Sequence, residues 1–362
     1  MRRSSSGDST DVGNLVSFTS AEGLINRLRH LLGLEGLEDV RTEASEIRRT
    51  LENTNPGSSF FTELQRKGIM SELDQILEAR EMERAEYYIN RLVRGLIEEK
   101  PGRVNDINLN RWKEYEDVYT DSLWYLDKRD STGAHNAGYW GNFIPQIPYQ
   151  LLKRFTRKGD CVLDLFVGSG TTLIECRRQG RNGVGFDLSR EALDLARENL
   201  SKEEDRYGTR VEAVRADSTS ADYSSELGKL GIESVQLVLM HPPYWDIIKF
   251  SGDEEDLSNA SSLDVFLNGI SACAEKAHSV LEDRRHLALI IGDKYSKGEW
   301  VPLGFRSMEK VLEAGFRLKS IIVKNFDQTK GKQSQKELWR YRALAGGFYV
   351  FKHEYIFLFE KA

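Results

Sequence analysis

The sequence predicts an α/β fold: a Rossmann-like, seven-stranded sheet with helices on both faces, preceded by a helical N-terminal region. Two observations support this prediction. From Lys158 onward, short apolar runs alternate with helical segments, which is typical of parallel α/β sheets. Between Ala21 and about Lys100, apolar residues such as Leu73, Ile76 and Leu77 recur at helical spacing instead.

Length and composition limit the class of protein. The 362 residues suggest about two domains, and the 40% hydrophobic content is enough for a sizeable core. No apolar run approaches the roughly 18 residues of a membrane span, and the N-terminus lacks the apolar segment of a secretory signal. Three cysteines without a CxxC pair argue against a disulfide framework and indicate a reducing cytoplasm. The net charge of −6 does not indicate nucleic-acid binding, but a local basic patch could still provide it.

The N-terminal third carries no recognisable chemistry. Residues 1–20 are rich in Ser, Gly, Asp and Thr, and we expect them to be disordered. Residues 21–111 form the helical N-terminal region. Within it, a breaker cluster at Thr54–Gly57 divides the helical pattern, and Pro101-Gly102 ends that pattern. We favour a packing or dimerisation element here over a module that helps to recognise a substrate.

The remaining residues, 112–362, form the second predicted domain, which starts with a connector rich in aromatic residues and glycine at 112–148. Tyr139–Pro148 is its most aromatic part. A connector of this composition is either a packed irregular segment or a lid or pocket wall for a flat ligand.

Strands are predicted from Lys158 onward because apolar runs there stop at glycine, proline or acidic residues. Seven segments are assigned: Cys161–Phe166, Gly183–Phe186, Val211–Ala216, Val235–Met240, His286–Ile291, Ser320–Val323 and Tyr349–Phe359.

The first strand is followed by a glycine turn, Gly168-Ser169-Gly170, that opens a helix. Glycine lets the backbone approach a ligand closely. Leu173 stands where a third glycine would complete a dinucleotide fingerprint, so a pyrophosphate ligand is disfavoured. Asp187 and Asp217 end the next two strands, and a carboxylate at such a position can bind ribose hydroxyls. This pattern indicates a nucleoside ligand without phosphates.

The fourth strand runs into His241-Pro242-Pro243-Tyr244. Two prolines cannot continue a ladder, and they stiffen the backbone. The loop carries a polar ring, a Pro242 carbonyl without a competing local N–H, and aromatic faces at Tyr244 and Trp245. It is suited to holding a planar heterocycle by its face and by an exocyclic amino group, although a packed proline turn is the alternative interpretation.

These motifs in this order resemble the S-adenosylmethionine-dependent amino methyltransferases of DNA, which modify adenine N6 or cytosine N4. The resemblance covers roughly Ser122 to Glu360 and implies a seven-stranded sheet with a reversed last hairpin. It implies a target-amine site at His241, Pro242, Pro243 and Tyr244, with Tyr244 stacking on the base. The cofactor residues it implies are Asp164, Phe166, Gly168, Gly170, Thr171, Asp187 and Asp217.

His241 departs from the family pattern, which has Asp, Asn or Ser there, so the target base stays open. A neutral imidazole can still accept a hydrogen bond from an amino group. Methylation at cytosine carbon 5 is disfavoured, because no cysteine lies in a Pro-Cys loop. No metal site is expected.

Two charged stretches and one polar stretch remain. Lys324–Arg342 carries six bases against two acids, and we expect DNA contacts from Lys330, Lys332, Lys336, Arg340 and Arg342. The acidic stretch Gly252–Asp264 is expected to be a solvated face. The polar stretch Ile291–Trp300 is expected to form part of the pocket rim, with a simple polar turn as the alternative.

The expected function is therefore DNA amino methylation, with DNA as partner and with a homodimer or a restriction nuclease partner as possibilities. Two alternatives are an enzyme of the same fold acting on RNA or on a glutamine amide, and a non-catalytic subunit that binds DNA or cofactor.

Overall fold

The structure is a computed structural model that describes residues 20–54, 61–135, 138, 139, 141–325 and 336–362. These residues form two compact units. The first holds the described residues up to Gly102, together with Ile107–Asp117. The second holds Arg103–Asp106 and the described residues from Val118 onward. The predicted disordered stretch lies outside the described residues apart from Ser20.

The first unit is helical, as predicted. Its four α-helices are α1 (Ala21–Leu31), α2 (Leu37–Asn53), α3 (Glu63–Glu78) and α4 (Met82–Ile97), followed by a 3₁₀ helix at Leu109–Glu114. The Ser20 hydroxyl accepts a hydrogen bond from the Gly23 N–H and caps α1. The apolar faces of the four helices pack on one another in a single core, so the residues at helical spacing are the buried ones. Trp112, the first residue of the predicted connector, belongs to this unit.

The second unit is built on a mostly parallel sheet. The strands are β1 (Leu123–Trp124), β2 (Cys161–Asp164), β3 (Asn182–Asp187), β4 (Val211–Arg215), β5 (Val235–Met240), β6 (Leu281–Ile291), β9 (Phe316–Asn325) and β10 (His353–Lys361). Their order in the sheet is β4-β3-β2-β5-β6-β10-β9-β1, with β10 antiparallel to both of its neighbours. A separate hairpin pairs β7 (Lys294–Ser296) with β8 (Glu299–Val301).

The Rossmann-like prediction is confirmed, with one strand more than the seven predicted. The extra strand, β1, is two residues long and pairs with β9 at the sheet edge. The last strand begins at His353 rather than at the predicted Tyr349, and Tyr349 is 90% exposed. The apolar residues before His353 therefore made the predicted start of this strand too early.

Both faces of the sheet are covered, because successive side chains of a strand point to opposite faces. On β5, Leu237 and Leu239 join the core on one face, whereas Val238 and Met240 join the core on the other. The first core is closed by α5 (Gln146–Phe155), α6 (Thr171–Gln179) and α7 (Arg190–Ser201). The second is closed by α8 (Tyr223–Lys229), α9 (Leu263–Val280) and α10 (Leu303–Glu313).

This architecture brings the sequence motifs to one edge of the sheet. The glycine turn, Asp187, Asp217 and the His241 loop all follow parallel strands, whose carboxyl ends meet at that edge. Of the helices in the described part of the chain, none combines the length and hydrophobicity that a membrane span needs.

Candidate functional site

A cavity of about 780 Å³ lies at the carboxyl ends of the parallel strands. One part of its wall comes from the glycine turn and the ends of β3 and β4, and another from the His241 loop. Residues of the aromatic connector, including Tyr139 and Asn142–Ile144, also line it, as expected for a pocket wall. A cavity of this size suits a ligand of several hundred daltons.

The glycine turn has the conformation that glycine permits. Gly168 and Gly170 have φ of +50° and +87°, in the left-handed region that disfavours other residues. A Cβ on Gly168 would lie 3.1 Å from the ring of Tyr139, and one on Gly170 would lie 3.2 Å from the backbone of Ala196 in α7. Gly168 and Phe166 line the cavity, whereas Gly170 is required by the close approach of α7.

Two predicted cofactor residues lie behind the turn rather than on the cavity wall. Asp164 is 1% exposed, and its Oδ1 accepts a hydrogen bond of 3.0 Å from the Phe166 N–H. Burial raises the pKa of Asp164 to about 6. The Thr171 hydroxyl donates to the Asn142 side chain, which itself lines the cavity. These two residues hold the shape of the turn and of the connector.

Asp187 and Asp217 both line the cavity. Asp187 accepts hydrogen bonds of 2.9 Å from the N–H groups of Gly168 and Ser189, so it ties the end of β3 to the glycine turn. Burial raises its pKa. Asp217 accepts from the Thr219 N–H at 2.9 Å, and the hydroxyls of Thr219 and Ser220 also donate to it. A carboxylate has about four acceptor positions, so Asp187, which accepts the two hydrogen bonds from Gly168 and Ser189, retains capacity for a ligand.

His241, Pro242, Pro243 and Tyr244 all line the same cavity. The His241 ring packs edge-on against Phe143 with 4.8 Å between ring centroids. Burial lowers the pKa of His241 to about 4, with a smaller opposing effect from the charge of Glu354. The imidazole is therefore neutral near pH 7.

Tyr244 is held from behind. Its hydroxyl donates a 2.6 Å hydrogen bond to Glu354 Oε2, and its Oη lies 3.4 Å from His241 Nε2. Lys324 Nζ donates to the other oxygen of Glu354 at 2.7 Å. Both charged side chains are buried and line the cavity. This pair is not predictable from the sequence, because Lys324 in β9 and Glu354 in β10 become neighbours only through strand pairing.

Trp245 is placed differently from the expectation. It does not line the cavity: its indole N–H donates to the Ala260 carbonyl at 2.9 Å, and Lys294 Nζ covers the ring at 4.0 Å from its centroid. Tyr295 and Phe348 provide other aromatic surface in the cavity wall, stacked on each other at 3.8 Å. Tyr295 lies in the stretch expected to form the rim, whereas Phe348 carried no sequence signal.

The expectations for the two charged stretches are also partly wrong. In the acidic one, Asp256 lines the cavity and accepts from Ser251 Oγ at 2.7 Å, so the stretch is not only a solvated face. In the basic one, Lys324 is buried rather than part of a charged surface. Lys330 and Lys332 lie outside the described residues, as does the side chain of Lys336. Arg340 and Arg342 are exposed on α11 (Lys336–Gly346).

A second cluster of ionisable side chains comprises Asp130, His135 and Glu175, whose ligand atoms lie within 4.8 Å of one another. His135 Nε2 is 2.7 Å from Glu175 Oε1. The Arg178 guanidinium lies 3.5 Å from Glu175 and 3.8 Å from Asp130, so a protein cation already compensates the acids. This arrangement is that of an ion-pair network.

The sheet order and the antiparallel last strand together define a Rossmann-like fold of the methyltransferase type. The chain belongs to the DNA methylase family N6_N4_Mtase, which it matches over residues 50–198 and 235–362, more than half of its length. The family resemblance inferred from the motifs is thereby confirmed.

Several curated relatives match shorter segments. The chain is 38% identical over 100 residues to the Type II methyltransferase M2.DpnII of Streptococcus pneumoniae, covering 26% of this chain and 34% of that protein. It is 44% identical over 64 residues to M.MjaII of Methanocaldococcus jannaschii, covering 18% and 12%. The matches thus span about a third or less of these relatives. Among solved structures, TrmN from Thermus thermophilus is similar over 61% of this chain and 49% of that one, with 19% identity and a TM-score of 0.39.

Proposed function

We propose that this protein transfers a methyl group from S-adenosylmethionine to an exocyclic amino group of a base in DNA, adenine N6 or cytosine N4. One observation carries the proposal: the His241 loop presents a neutral acceptor in the same cavity as Asp187 and Asp217. The proposed nucleoside-binding wall and the proposed amine-binding loop therefore face one cavity.

The residues present fit S-adenosylmethionine. Gly168 leaves room where a side chain would meet Tyr139, Asp187 offers acceptor positions to ribose hydroxyls, and Asp217 lies on the cavity wall as the proposed partner of the adenine amino group. Phe166 and Gly168 are the proposed contacts to the methionine part, with Asp164, Gly170 and Thr171 supporting the turn. When bound, this cofactor supplies a methyl group on a positively charged sulfur.

The chain's own contribution to the chemistry is placement. The lone pair of an exocyclic amine is delocalised into its ring, and acceptors for its two N–H groups hold it pointing at the methyl donor. His241 and the Pro242 carbonyl are the proposed acceptors. Orientation of this kind supplies much of the acceleration of a displacement reaction. The amine nitrogen gains the methyl group as the bond from that group to sulfur breaks, which would leave a neutral thioether, and the proton of the amine passes to water. The target base must leave the duplex to reach the cavity.

DNA contact is proposed through α11. Arg340 and Arg342 are exposed on this helix, and Trp339, the residue before Arg340, lines the cavity, so the helix lies at the cavity wall. Lys330, Lys332 and Lys336 are proposed contacts on sequence grounds. A homodimer and a restriction nuclease partner are further proposals, which light scattering and co-purification would test.

The test is incubation of the full chain with isotope-labelled S-adenosylmethionine and DNA, RNA or glutamine-containing peptide, followed by mass spectrometry of nucleosides and amino acids. We expect label in N6-methyladenine or N4-methylcytosine. Label in RNA or in glutamine would replace the proposal by an enzyme of the same fold with another substrate. Binding of cofactor and duplex without any transfer would establish a non-catalytic subunit.

His241→Ala and His241→Asn refine this test. The alanine variant loses the acceptor, whereas the asparagine variant keeps a carbonyl oxygen. Single-turnover rates should therefore fall furthest in His241→Ala, and they are needed because slow product release can mask the chemical step. Equal rates in His241→Ala and the wild type would show that another group holds the amine.

A further inference from the structure

The buried ion pair behind the loop requires an explanation. Lys324 and Glu354 are 5% and 3% exposed, and their charged atoms are 2.7 Å apart. Removing two charges from water is costly, and a buried ion pair is often no more stable than apolar residues of the same volume. Stability alone therefore does not account for charged residues at these two positions. Their contact with Tyr244 suggests another role.

The hydrogen bonds of this network have a direction. Tyr244 has one hydroxyl proton, and it is donated to Glu354 at 2.6 Å. Towards His241 the tyrosine oxygen can then only accept, so a hydrogen bond from Nε2, 3.4 Å away, requires the tautomer with the hydrogen on Nε2. A neutral imidazole has one N–H, so the lone pair is on Nδ1. Within the described part of the chain, the side-chain hydrogen bond of His241 is formed at Nε2 and not at Nδ1.

We propose that Glu354, held in place by Lys324, fixes the tautomer of His241 through the Tyr244 hydroxyl, so that Nδ1 offers its lone pair to the target amine. The identity of the amine rests on the proposed function, but the tautomer is a property of the protein alone. Glu354 and Lys324 are positioning residues, because they act on the amine only through Tyr244 and His241.

The opposite arrangement shows why the acceptor at position 354 matters. Without it, the Tyr244 hydroxyl is free to donate to His241 Nε2. Nε2 then holds the lone pair and Nδ1 carries the hydrogen. The imidazole would then present an N–H donor to a target amine that needs an acceptor, and two donors cannot form a hydrogen bond.

Two double variants separate these arrangements. Lys324→Met with Glu354→Leu removes both charges together, which avoids leaving one buried charge without its partner. It also removes the acceptor for Tyr244. Lys324→Met with Glu354→Gln is the matched control, because it removes the same charges but keeps a carbonyl oxygen at position 354. Leucine at position 354 has no atom that can accept from the tyrosine, whereas the glutamine carbonyl can.

The readout is ¹⁵N NMR of the full chain labelled at its six histidines, which distinguishes protonated from unprotonated ring nitrogens. The His241 signals are assigned by their loss in His241→Asn. We expect hydrogen on Nε2 in the wild type and in the Glu354→Gln control, and hydrogen on Nδ1 in the Glu354→Leu variant. Hydrogen on Nδ1 in the wild type, or the same tautomer in all three proteins, would refute the inference.

Single-turnover methyl transfer is the second readout. The Glu354→Leu variant should be slower than the Glu354→Gln control by about tenfold or more, the effect of one hydrogen bond. Equal rates in two variants with different tautomers would also refute the inference. If the tautomers are as expected and the wild type methylates no DNA, the proposed function fails while the assignment of the tautomer stands.

Discussion

The depressed pKa of His241 makes the stability of this protein depend on pH in a defined direction. Burial lowers this pKa from 6.5 to about 4, so the folded protein binds the proton more weakly than the unfolded chain does. Acid therefore favours unfolding. The stability that the neutral imidazole contributes is complete above about pH 6.5, and it is lost as the pH falls towards 4.

The size of the effect follows from the shift. A change from 6.5 to about 4 corresponds to about 3 kcal/mol over the whole range. Between about pH 7.5 and about pH 5.5 the unfolded imidazole takes up most of a proton and the folded one almost none. About 1.4 kcal/mol of stability should be lost in that interval. The Asp164 carboxyl, whose pKa is raised to about 6, makes the stability change with pH in the opposite direction. Its contribution is the same in the wild type and the variants, so it cancels in the comparison.

Urea unfolding of wild type and His241→Asn at these two pH values measures the effect. The wild type should lose about 1.4 kcal/mol more than the variant. His286→Asn is a matched control, since burial also lowers the pKa of His286 to about 4. It should reduce the pH dependence to a similar extent while methyl transfer continues. If His241→Asn and the wild type show the same pH dependence, the pKa of His241 is not lowered in the folded protein.

Three further predictions concern the cofactor, DNA and the sheet. Asp187→Asn should weaken S-adenosylmethionine binding about tenfold or more by calorimetry, because a charged acceptor is lost, and unchanged affinity in a folded variant would remove Asp187 from the cofactor site. Replacing Arg340 and Arg342 by glutamine should reduce the slope of log affinity against log salt by up to about 2, whereas an unchanged slope would place DNA elsewhere. Gly185→Ala should lower the free energy of unfolding in urea by about 1–3 kcal/mol, because the added Cβ would overlap the Val167 side chain. Gly228→Ala in α8, where the added Cβ meets no neighbour, should raise the free energy of unfolding slightly.

The parts of the site that could be predicted from sequence are those encoded locally. A glycine turn or a proline loop directly after an apolar strand is visible within a few residues, and parallel topology brings such strand ends together. Gly168, Asp187 and His241 therefore share one cavity, as the motif order indicates.

The parts that were missed depend on pairing between distant segments. Lys324 was counted as a surface base because its neighbours in sequence are charged, yet strand pairing places it opposite Glu354. Likewise, β1 is only two residues long and has no periodicity of its own, and it becomes a strand because it pairs with β9 some 200 residues later. Register between distant strands is not readable from a single local pattern.

The charge balance around the loop also bears on which amine the cavity accepts. Lys324 and Glu354 neutralise each other, and His241 is uncharged near pH 7, so the three together carry no net charge towards the target. Electrostatics then does not discriminate between a base amino group and a glutamine amide, because both are neutral. Shape does: Tyr244, Tyr295, Trp339 and Phe348 all line the cavity, and flat aromatic walls give a heterocycle a contact area that an amide cannot match. On this argument, the aromatic wall rather than the acceptor at position 241 favours a nucleobase as the substrate.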